Sequence, residues 1–464
     1  MRSRKRTTNA GCRSESGGCD RRTWLQFGAA GALGLAVSPN ARGATPTVPN
    51  SGRAKRCLQV FLNGGPSQLD TWDMKPDAPA EIRGELTPIA TSVSGVQVSE
   101  LFPLVAQQID KVKIVRSVTH DASVHTTGVY TMLTGSLHAT PQVDQTRATP
   151  HDHPHLGSIT AFGRPPLSAL PPFVSLPTLF QAPPVEGIWP GQNAGFLGRR
   201  YDPFVVAGEK QTARFSAPTV ELAAGLNPGR LRDRRAILDH IDASRAAADA
   251  TDQRTQLWDQ AFSLLGSAGI REAVDLSREP DAMHERYGRH LFGQGLLLAR
   301  RLIEAQAGFV TVYWIDPTPA GAGGGEWDSH GRLYWHMRNR LAAPADRALA
   351  ALISDLAERG LYDDTLLVVM SEFGRTPRFN ADAGRDHWPQ AQSIFLAGAG
   401  ITPGTVHGST DRYAAFPATD PVTPPDLGQS LLHLLGIPAD LMLRDPQGRP
   451  IAASTGRVDE RLLS

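Results

Sequence analysis

The sequence is poor in cysteine, in excess charge of either sign and in long hydrophobic runs. Its 464 residues include three cysteines, and two of them, Cys12 and Cys19, precede the export cleavage site that the N-terminus predicts. The one remaining cysteine, Cys57, leaves neither a disulfide framework nor a thiolate zinc site for the mature monomer. Cys57 begins an apolar run, so we expect it to lie in the core.

The balance of charge excludes a further class of function. The formal net charge is +1, and no stretch of the chain interleaves basic with aromatic residues. Nucleic-acid-binding proteins need a basic surplus to neutralise phosphates, so we expect no nucleic acid among the partners. An apolar content of 41% and a charged content of 20% are ordinary for a globular protein.

Residues 1–44 have the pattern of an export signal. Arg21 and Arg22 precede a mild apolar run from Phe27 to Val37, and small residues follow around 41–44. A bilayer span needs about 20 apolar residues, so we expect no membrane span in the mature chain. The arginine pair predicts the twin-arginine export machinery as a partner, and the periplasm or the extracellular space as the destination. The alternative is a chance arginine pair before a buried helix.

The rest of the chain alternates predicted strands with predicted helices. Apolar runs predict strands at 57–62, 113–118, 309–314, 366–370 and 394–397, and helical spacing predicts helices at 230–260, 291–305, 344–359 and 426–435. This alternation predicts an α/β fold with a mostly parallel central sheet sandwiched by helices. The strand at 366–370 should be central, because five consecutive apolar residues need cover on both faces.

We expect one domain over residues 55–455. It should carry a loop-rich insertion at about 138–290, whose first part, residues 138–205, is rich in proline, glycine and histidine and is predicted to lie on the surface. Within it, residues 151–155 read His-Asp-His-Pro-His and invite a metal-binding interpretation. An exposed loop without a native metal is the interpretation we favour for that stretch.

Polar side chains are concentrated at the ends of four predicted strands. They lie in Asn63–Asp73, His120–Thr127, Asp328–His330 and Glu372–His387. Ligands of open α/β sheets bind beyond the carboxyl ends of the strands, so we expect these side chains to lie together. Carboxylates and imidazoles without cysteine suit a divalent metal such as Zn, Mn, Mg or Ca. Arg375 could fork to phosphate or sulfate oxygens, or form a structural pair with Glu372 or Asp386.

These segments resemble an exported bacterial family catalogued as domain of unknown function 1501. The resemblance runs from about Arg56 to about Ile437, and its carrying segments include Phe61–Ser67, Asp70–Asp73, Arg116–His120, Trp327–His330, Glu372–Pro377 and Gly384–Pro389. That family is usually placed in the alkaline phosphatase and sulfatase superfamily, and its activity is unassigned. The resemblance implies an alkaline-phosphatase-like fold with divalent metal held at the strand ends.

The resemblance also implies roles for single residues. The metal ligands it suggests, taken with the polar strand ends, are Asp70, Asp328, His330, Glu372, Asp386 and His387. Asp70 would substitute for the aspartate that commonly ends the first strand, where this chain has Asn63. The superfamily's nucleophile position falls on or near His125, so His125 and Arg375 are the predicted catalytic residues. The Cys/Ser-x-Pro-x-Arg motif of sulfatases does not occur, so we do not expect formylglycine chemistry.

Two functions fit these observations. The first is an exported metal-dependent hydrolase of phosphate or sulfate esters, acting on an anionic polysaccharide or another envelope component; His125, a neighbouring threonine or water would attack. The second is a catalytically inactive scaffold of the superfamily that binds an envelope polymer or protein. Asn63 and the missing standard nucleophile favour the scaffold, whereas the retained carboxylates and histidines favour the hydrolase.

Overall fold

The computed structural model describes residues 52–143, 147–181, 187–216, 229–230, 233–234, 236–237, 268–316 and 326–464. The chain divides at residue 47, and every described residue belongs to the second, compact unit, residues 48–464. The predicted export signal, most of the helix predicted at 230–260 and the glycine-rich run at 321–325 lie outside the described residues.

An eight-stranded sheet is the centre of the second unit. In chain order its strands are Arg56–Phe61 (β1), Lys113–Val118 (β2), Phe173–Leu176 (β3), Phe204–Val205 (β4), Phe309–Tyr313 (β5), Thr365–Met370 (β6), Gln392–Ala397 (β7) and Thr405–His407 (β8). Their spatial order is β8-β2-β7-β6-β1-β5-β3-β4. Only β7 pairs antiparallel with its neighbours. The mostly parallel sheet and the central place of β6 are therefore confirmed.

Within the described residues, five helices of eight or more residues cover this sheet. They are His125–Thr134 (α1), Leu156–Gly163 (α2), Leu291–Glu304 (α3), Ala342–Glu358 (α4) and Pro424–Leu434 (α5). Helices α3 and α4 share a hydrophobic core with Leu58 and Val60 of β1. Helices α1, α2 and α5 share a second core with Cys57 and Phe61 of the same strand. Because side chains alternate across a strand, these two cores lie on opposite faces of the sheet, and Cys57 is confirmed as a core residue.

Short elements complete the described chain. The remaining strands are Pro88–Ala90, Gln97–Ser99, Ala207–Gly208, Phe215–Ser216, Gly374–Arg375, His387–Trp388, Ser409–Thr410, Pro417–Thr419, Met442–Arg444 and Pro450–Ala452. The remaining helices and helical turns are Ala80–Arg83, Pro103–Ala106, Ile109–Lys111, Gly195–Leu197, Arg199–Tyr201, Ala268–Val274, Leu276–Arg278, Asp281–Tyr287, Leu333–His336, Met337–Leu341, Tyr362–Asp364 and Glu460–Leu463. None of the helices in the described part of the chain combines the length and apolarity needed to cross a membrane.

Part of the predicted surface insertion belongs to the core. Strand β3 lies within residues 138–205, yet its four residues are buried and pair with β5 in the central sheet. Helix α2, also within that range, contributes Leu156 and Ile159 to the second core. The surface assignment is therefore wrong for residues 156–160 and 173–176. Strand β3 is only four residues long, includes the polar Ser175 and stands between prolines, so the composition of the segment hid it.

Candidate metal centre

Four side chains meet near the carboxyl end of the sheet, and we call them the histidine cluster: His125, Asp328, His330 and His387. The Nε2 atom of His125 lies 3.3 Å from Asp328 Oδ2. The Nε2 atoms of His330 and His387 lie 3.1 Å and 3.2 Å from Asp328 Oδ1, and 2.9 Å from each other. All three imidazoles thus direct the same ring atom toward one carboxylate.

An acceptor holds the opposite nitrogen of each imidazole. The Nδ1 contacts are His125 to Glu372 Oε1 at 2.7 Å, His330 to Asp386 Oδ1 at 2.8 Å and His387 to the Ser123 carbonyl oxygen at 2.8 Å. Carbonyl and ionised carboxylate oxygens only accept hydrogen bonds, so each Nδ1 carries a proton and donates it. In a neutral ring the Nε2 atom then presents its lone pair to the cluster.

The donors present fit a divalent cation. Three Nε2 lone pairs and one carboxylate are electron-rich groups, and their close approach requires positive charge among them. Protein-bound metals are commonly held by histidines whose second ring nitrogen donates to a carboxylate or a backbone carbonyl. The ligand atoms of His125, Asp328 and His387 all lie within 4.8 Å of one another, so one ion can reach them together.

The electrostatics of the site favour ionised carboxylates beside positive charge. Burial raises the pKa of Asp328, but hydrogen bonds from the three histidines bring it well below its ordinary value. Burial also raises the pKa of Glu372, but the hydrogen bond and charge of His125 outweigh burial and bring that pKa below its ordinary value. Burial lowers the pKa of His125, yet its hydrogen bonds to Asp328 and Glu372 outweigh burial and raise that pKa to about 9.

Helix α1 carries His125 at its first residue. Gly128, one turn later, lets the helix approach the end of β6, because a Cβ atom at residue 128 would lie 3.1 Å from Glu372 Cβ. Glu372 follows β6 after one residue, so this close packing brings its carboxylate to His125. A larger residue at 128 would push the helix away and lengthen that hydrogen bond.

Two other segments supply the remaining members of the cluster. His387 lies on a two-stranded ribbon, where it pairs with Arg375. Asp328 lies beyond β5, and the backbone of the preceding residue, Trp327, donates to the Asn63 carbonyl at the end of β1 at 3.0 Å. The side chain of Asn63 donates to the Trp314 carbonyl at 3.0 Å, so Asn63 ties neighbouring strand ends together.

Arg375 is fully buried, and each of its guanidinium nitrogens has a protein partner. Nε donates to the Gly65 carbonyl at 2.8 Å and Nη1 to the Arg385 carbonyl at 3.0 Å. Nη2 donates to the Gly64 carbonyl and, at 2.6 Å, to Asp328 Oδ1. The structure thus pairs Arg375 with Asp328 and not with Glu372 or Asp386, and it uses the guanidinium to position a cluster residue.

The structure does not bring Asp70 into the histidine cluster. Its carboxylate is fully buried and accepts from Arg385 Nε at 2.8 Å and from the Tyr334 hydroxyl at 3.2 Å. A buried carboxylate needs such a partner, and Arg385 meets that need without a metal. Arg385 in turn lies over the ring of Phe379, 3.9 Å from its centroid.

Two other predicted ligands lie behind the cluster. Glu372 and Asp386 contact the Nδ1 atoms of His125 and His330, as described above, so they orient rings whose Nε2 atoms face Asp328. Of the eight predicted site residues, the structure therefore joins seven in one hydrogen-bonded network and leaves Asp70 apart.

Other histidines in the predicted segments have structural contacts. His120 Nδ1 accepts from the backbone of Ala122 at 3.1 Å, and its Nε2 donates to the Glu372 carbonyl at 2.8 Å. In the His-Asp-His-Pro-His stretch, His155 caps helix α2 by accepting from the Gly157 backbone at 2.8 Å. Asp152 accepts from the backbone and hydroxyl of Thr149. These bonds give the histidine-rich stretch a role in the fold.

Sequence reasoning missed one aromatic neighbour of the cluster, Trp189. Its ring centroid lies 5.9 Å from that of His125, beside the closer rings of Phe373 and His387. Trp189 comes from the predicted insertion and carries no ionisable group, so neither a motif nor a strand end marked it. The contact between Trp189 and His125 is visible only in the folded chain, where Gly191 packs against helix α1.

A cavity of about 600 Å³ lies elsewhere, lined by residues that include Phe215, Arg271 and His284. None of the predicted site residues lines it. The histidine cluster is the stronger candidate site, because its donor atoms converge and their ionisation is perturbed by one another.

Comparison with known proteins identifies a family and several similar folds. The family model described as "Protein of unknown function (DUF1501)" matches residues 54–463. No curated protein matches the sequence. Among solved structures, the chain is similar to the phosphonate monoester hydrolase SpPMH from Silicibacter pomeroyi, with 14% identity, a TM-score of 0.38 and coverage of 88% of this chain and 76% of that chain.

Two further solved structures show the same level of similarity. The PsFucS1 sulfatase from Pseudoalteromonas sp. shares 12% identity, with a TM-score of 0.41 and coverage of 89% of this chain and 73% of that chain. A protein in the alkaline phosphatase superfamily from Vibrio parahaemolyticus shares 11% identity, with a TM-score of 0.35 and coverage of 90% of this chain and 76% of that chain.

Proposed function

This chain belongs to the DUF1501 family, and we propose that it is an exported metal-dependent hydrolase of phosphate or sulfate esters. The observation that supports this proposal is the convergence of three histidine Nε2 atoms on Asp328, with an acceptor holding each Nδ1. Six of the eight residues that the sequence marks as functional form that arrangement, and a seventh, Arg375, donates to Asp328.

The residues that would hold one divalent cation are His125, Asp328, His330 and His387. Three imidazoles and one carboxylate suit zinc or a similar borderline ion better than calcium, which prefers oxygen ligands alone. A bound cation would supply positive charge to an ester oxyanion and would make water more acidic. Glu372 and Asp386 would orient the rings, and Arg375 would hold Asp328.

His125 serves this hydrolase as a ligand and not as the nucleophile. Its Nδ1 is committed to Glu372 at 2.7 Å, and its Nε2 lies with the other ligand atoms around Asp328. A ring held at both nitrogens cannot also attack phosphorus or sulfur. We therefore assign the attack to water, which agrees with the absence of the sulfatase nucleophile motif.

The proposed location and substrate class follow from the N-terminus and the chemistry. Arg21 and Arg22 support delivery by the twin-arginine export machinery to the periplasm or the extracellular space. An esterase located there would meet anionic polysaccharides and other envelope esters, and a cation at the cluster would attract their negative charge.

A second candidate function is a metal-bound scaffold that binds an envelope polymer without hydrolysing it. One observation favours it: every nitrogen of Arg375 has a protein partner, so this buried cation is not available to a substrate oxyanion. Both functions use the metal site, but only the hydrolase cleaves the ester that it binds.

Metal analysis and hydrolysis assays on the exported protein test both functions. The wild type should retain about one divalent ion per chain, and His387→Ala should lose it together with thermal stability, because a bound ion adds its binding free energy to folding. Hydrolysis of an aryl phosphate or aryl sulfate should disappear in the same variant. His151→Ala, in the exposed part of the histidine-rich stretch, is the matched control and should change neither property.

Each outcome has a distinct meaning. Protein that contains no metal, with an unfolding temperature unaffected by a chelator, would reject the metal site. Stoichiometric metal without hydrolysis of any aryl ester, combined with binding of an anionic polymer, would support the scaffold instead.

A further inference from the structure

Backbone and side-chain contacts hold Trp189 beside the histidine cluster. Its backbone N–H donates to the Phe180 carbonyl at 3.0 Å, and the side chain of Gln192 donates to the Trp189 carbonyl at 3.1 Å. The ring of Phe180 packs edge-on against the indole, with centroids 4.4 Å apart. These contacts fix both the backbone and the ring of Trp189.

The loop of Trp189 is also packed against the helix that carries His125. Gly191 has φ = +83°, and a Cβ atom there would lie 2.6 Å from the Cα atom of Tyr130 on α1. Only glycine permits that approach without a shift of the backbone. The distance between Trp189 and His125 is therefore set by direct packing of the loop on α1.

Trp189 is buried, with only 8% of the residue exposed, yet its indole N–H has no hydrogen-bond partner within the described protein. An indole nitrogen only donates, so it needs an acceptor. A buried donor without an acceptor is destabilising and calls for an explanation, such as a ligand that accepts its hydrogen bond. The indole nitrogens of Trp314 and Trp327 are also unpartnered, but those rings meet edge to face in the core, with centroids 5.3 Å apart, and are not among the rings described next to His125.

A substrate oxyanion bound at the histidine cluster would need a hydrogen-bond donor from the protein. Arg375, the residue predicted for that task, has every nitrogen engaged. Of the three rings described next to His125, Phe373 has no donor, and the Nδ1–H of His387 is committed to the Ser123 carbonyl. Trp189 is the ring of this set with an N–H still to donate.

We propose that Trp189 is a substrate-positioning residue, whose indole N–H donates a hydrogen bond to an oxygen of a tetrahedral oxyanion bound at the histidine cluster. This inference rests on the proposed function, because the cation held by the cluster brings the anion there. A phosphate or sulfate group satisfies the donor that the protein leaves unpaired.

Inorganic phosphate is the probe for a test on the metal-containing, ¹⁵N-labelled protein. The indole resonance missing from Trp189→Phe identifies Trp189 in the spectrum. Phosphate should shift that resonance in the wild type. This shift is measured on the wild-type protein, so it does not depend on whether a variant folds. Trp189→Phe keeps an aromatic ring but loses the N–H, so its phosphate affinity, measured by calorimetry, should fall about tenfold with unchanged metal content.

Trp314→Phe is the matched control, because it removes an equally unpartnered indole N–H away from the cluster. Its phosphate affinity should equal that of the wild type. Equal phosphate affinity in the wild type and Trp189→Phe, or an unmoved Trp189 resonance in phosphate-bound protein, would overturn the positioning role while leaving the metal site intact. A wild type without metal, or one that holds metal but binds neither phosphate nor sulfate, would refute the proposed function and the positioning role together.

Discussion

At the scale of single residues, the two carboxylates behind the cluster differ in burial. Glu372 is 1% exposed and contacts His125, whereas the side chain of Asp386 is 54% exposed and contacts His330. Solvent screens an exposed charge far more than a buried one, so equal hydrogen-bond lengths do not mean equal influence on the ring. The two nitrogen–oxygen distances, 2.7 Å and 2.8 Å, are nearly equal. A difference between the two carboxylates in their effect on metal binding would therefore reflect their burial.

Glu372→Gln should weaken metal binding about 10- to 100-fold, the usual effect of losing a carboxylate behind a metal-binding histidine. The amide oxygen can still accept from His125 Nδ1, so the loss would report the missing charge. Asp386→Asn is the matched change at the exposed position and should weaken binding less than about threefold. Competition with a chromophoric chelator measures both affinities, and equal losses in the two variants would show that burial does not decide the effect.

At the scale of elements, helix α2 begins with an unusual cap, the neutral imidazole of His155. Its Nδ1 accepts from the Gly157 backbone at 2.8 Å, and its ring stacks on Phe173 of β3 at 4.6 Å. Burial lowers the pKa of His155 to about 3. Protonation would destroy the acceptor and leave a buried charge, so this helix start depends on a histidine that stays neutral in the fold.

His155 should make the protein sensitive to acid. Its folded pKa lies below the unfolded value of about 6.5, so its stabilising contribution is complete above pH 6.5 and is lost as the pH falls toward 3. That loss amounts to about 1.4 kcal/mol per pH unit. Asparagine also caps helices but does not titrate, so His155→Asn should show a shallower decline of unfolding free energy between pH 6.5 and 4, measured by urea titration. Parallel pH profiles for the two proteins would contradict this assignment.

At the scale of the whole molecule, the cluster exists only when the sheet is complete. Its histidines come from helix α1, from the segment beyond β5 and from the ribbon after β6, and β1 lies between β5 and β6. The proposed twin-arginine route carries folded proteins, so it would deliver the cluster already assembled. The arginine pair at residues 21–22 is the observation that supports this proposal.

Replacing Arg21 and Arg22 with lysine should trap the full-length precursor in the cytoplasm, because the pair is the proposed recognition element of the export machinery. Fractionation followed by immunoblotting measures the distribution. The same change at Arg2 and Arg4 preserves charge in the same way and should leave export normal. Normal export of the Arg21/Arg22 variant would exclude the twin-arginine route.

The sequence by itself determined the type of fold and most of the candidate site. Largely apolar runs marked β1, β2, β5, β6 and β7, because strands covered on both faces of a sheet need mostly apolar residues. The polar residues that follow such strands are placed at one edge of the sheet by topology, which is why His125, Asp328 and His387 could be named together from the sequence. The five-residue run at 366–370 was sufficient to identify the central strand.

Tertiary structure alone decided which partner each polar residue takes. Asp70 was indistinguishable from a metal ligand in the sequence, but Arg385, 315 residues away along the chain, neutralises it. Arg375 could have bound an oxyanion, yet folding placed Asp328 and three backbone carbonyls around it. Trp189 reaches His125 only because Gly191 allows its loop to pack on α1. Local patterns reflect burial and backbone preference, whereas pairing across hundreds of residues depends on distances that only the folded chain sets.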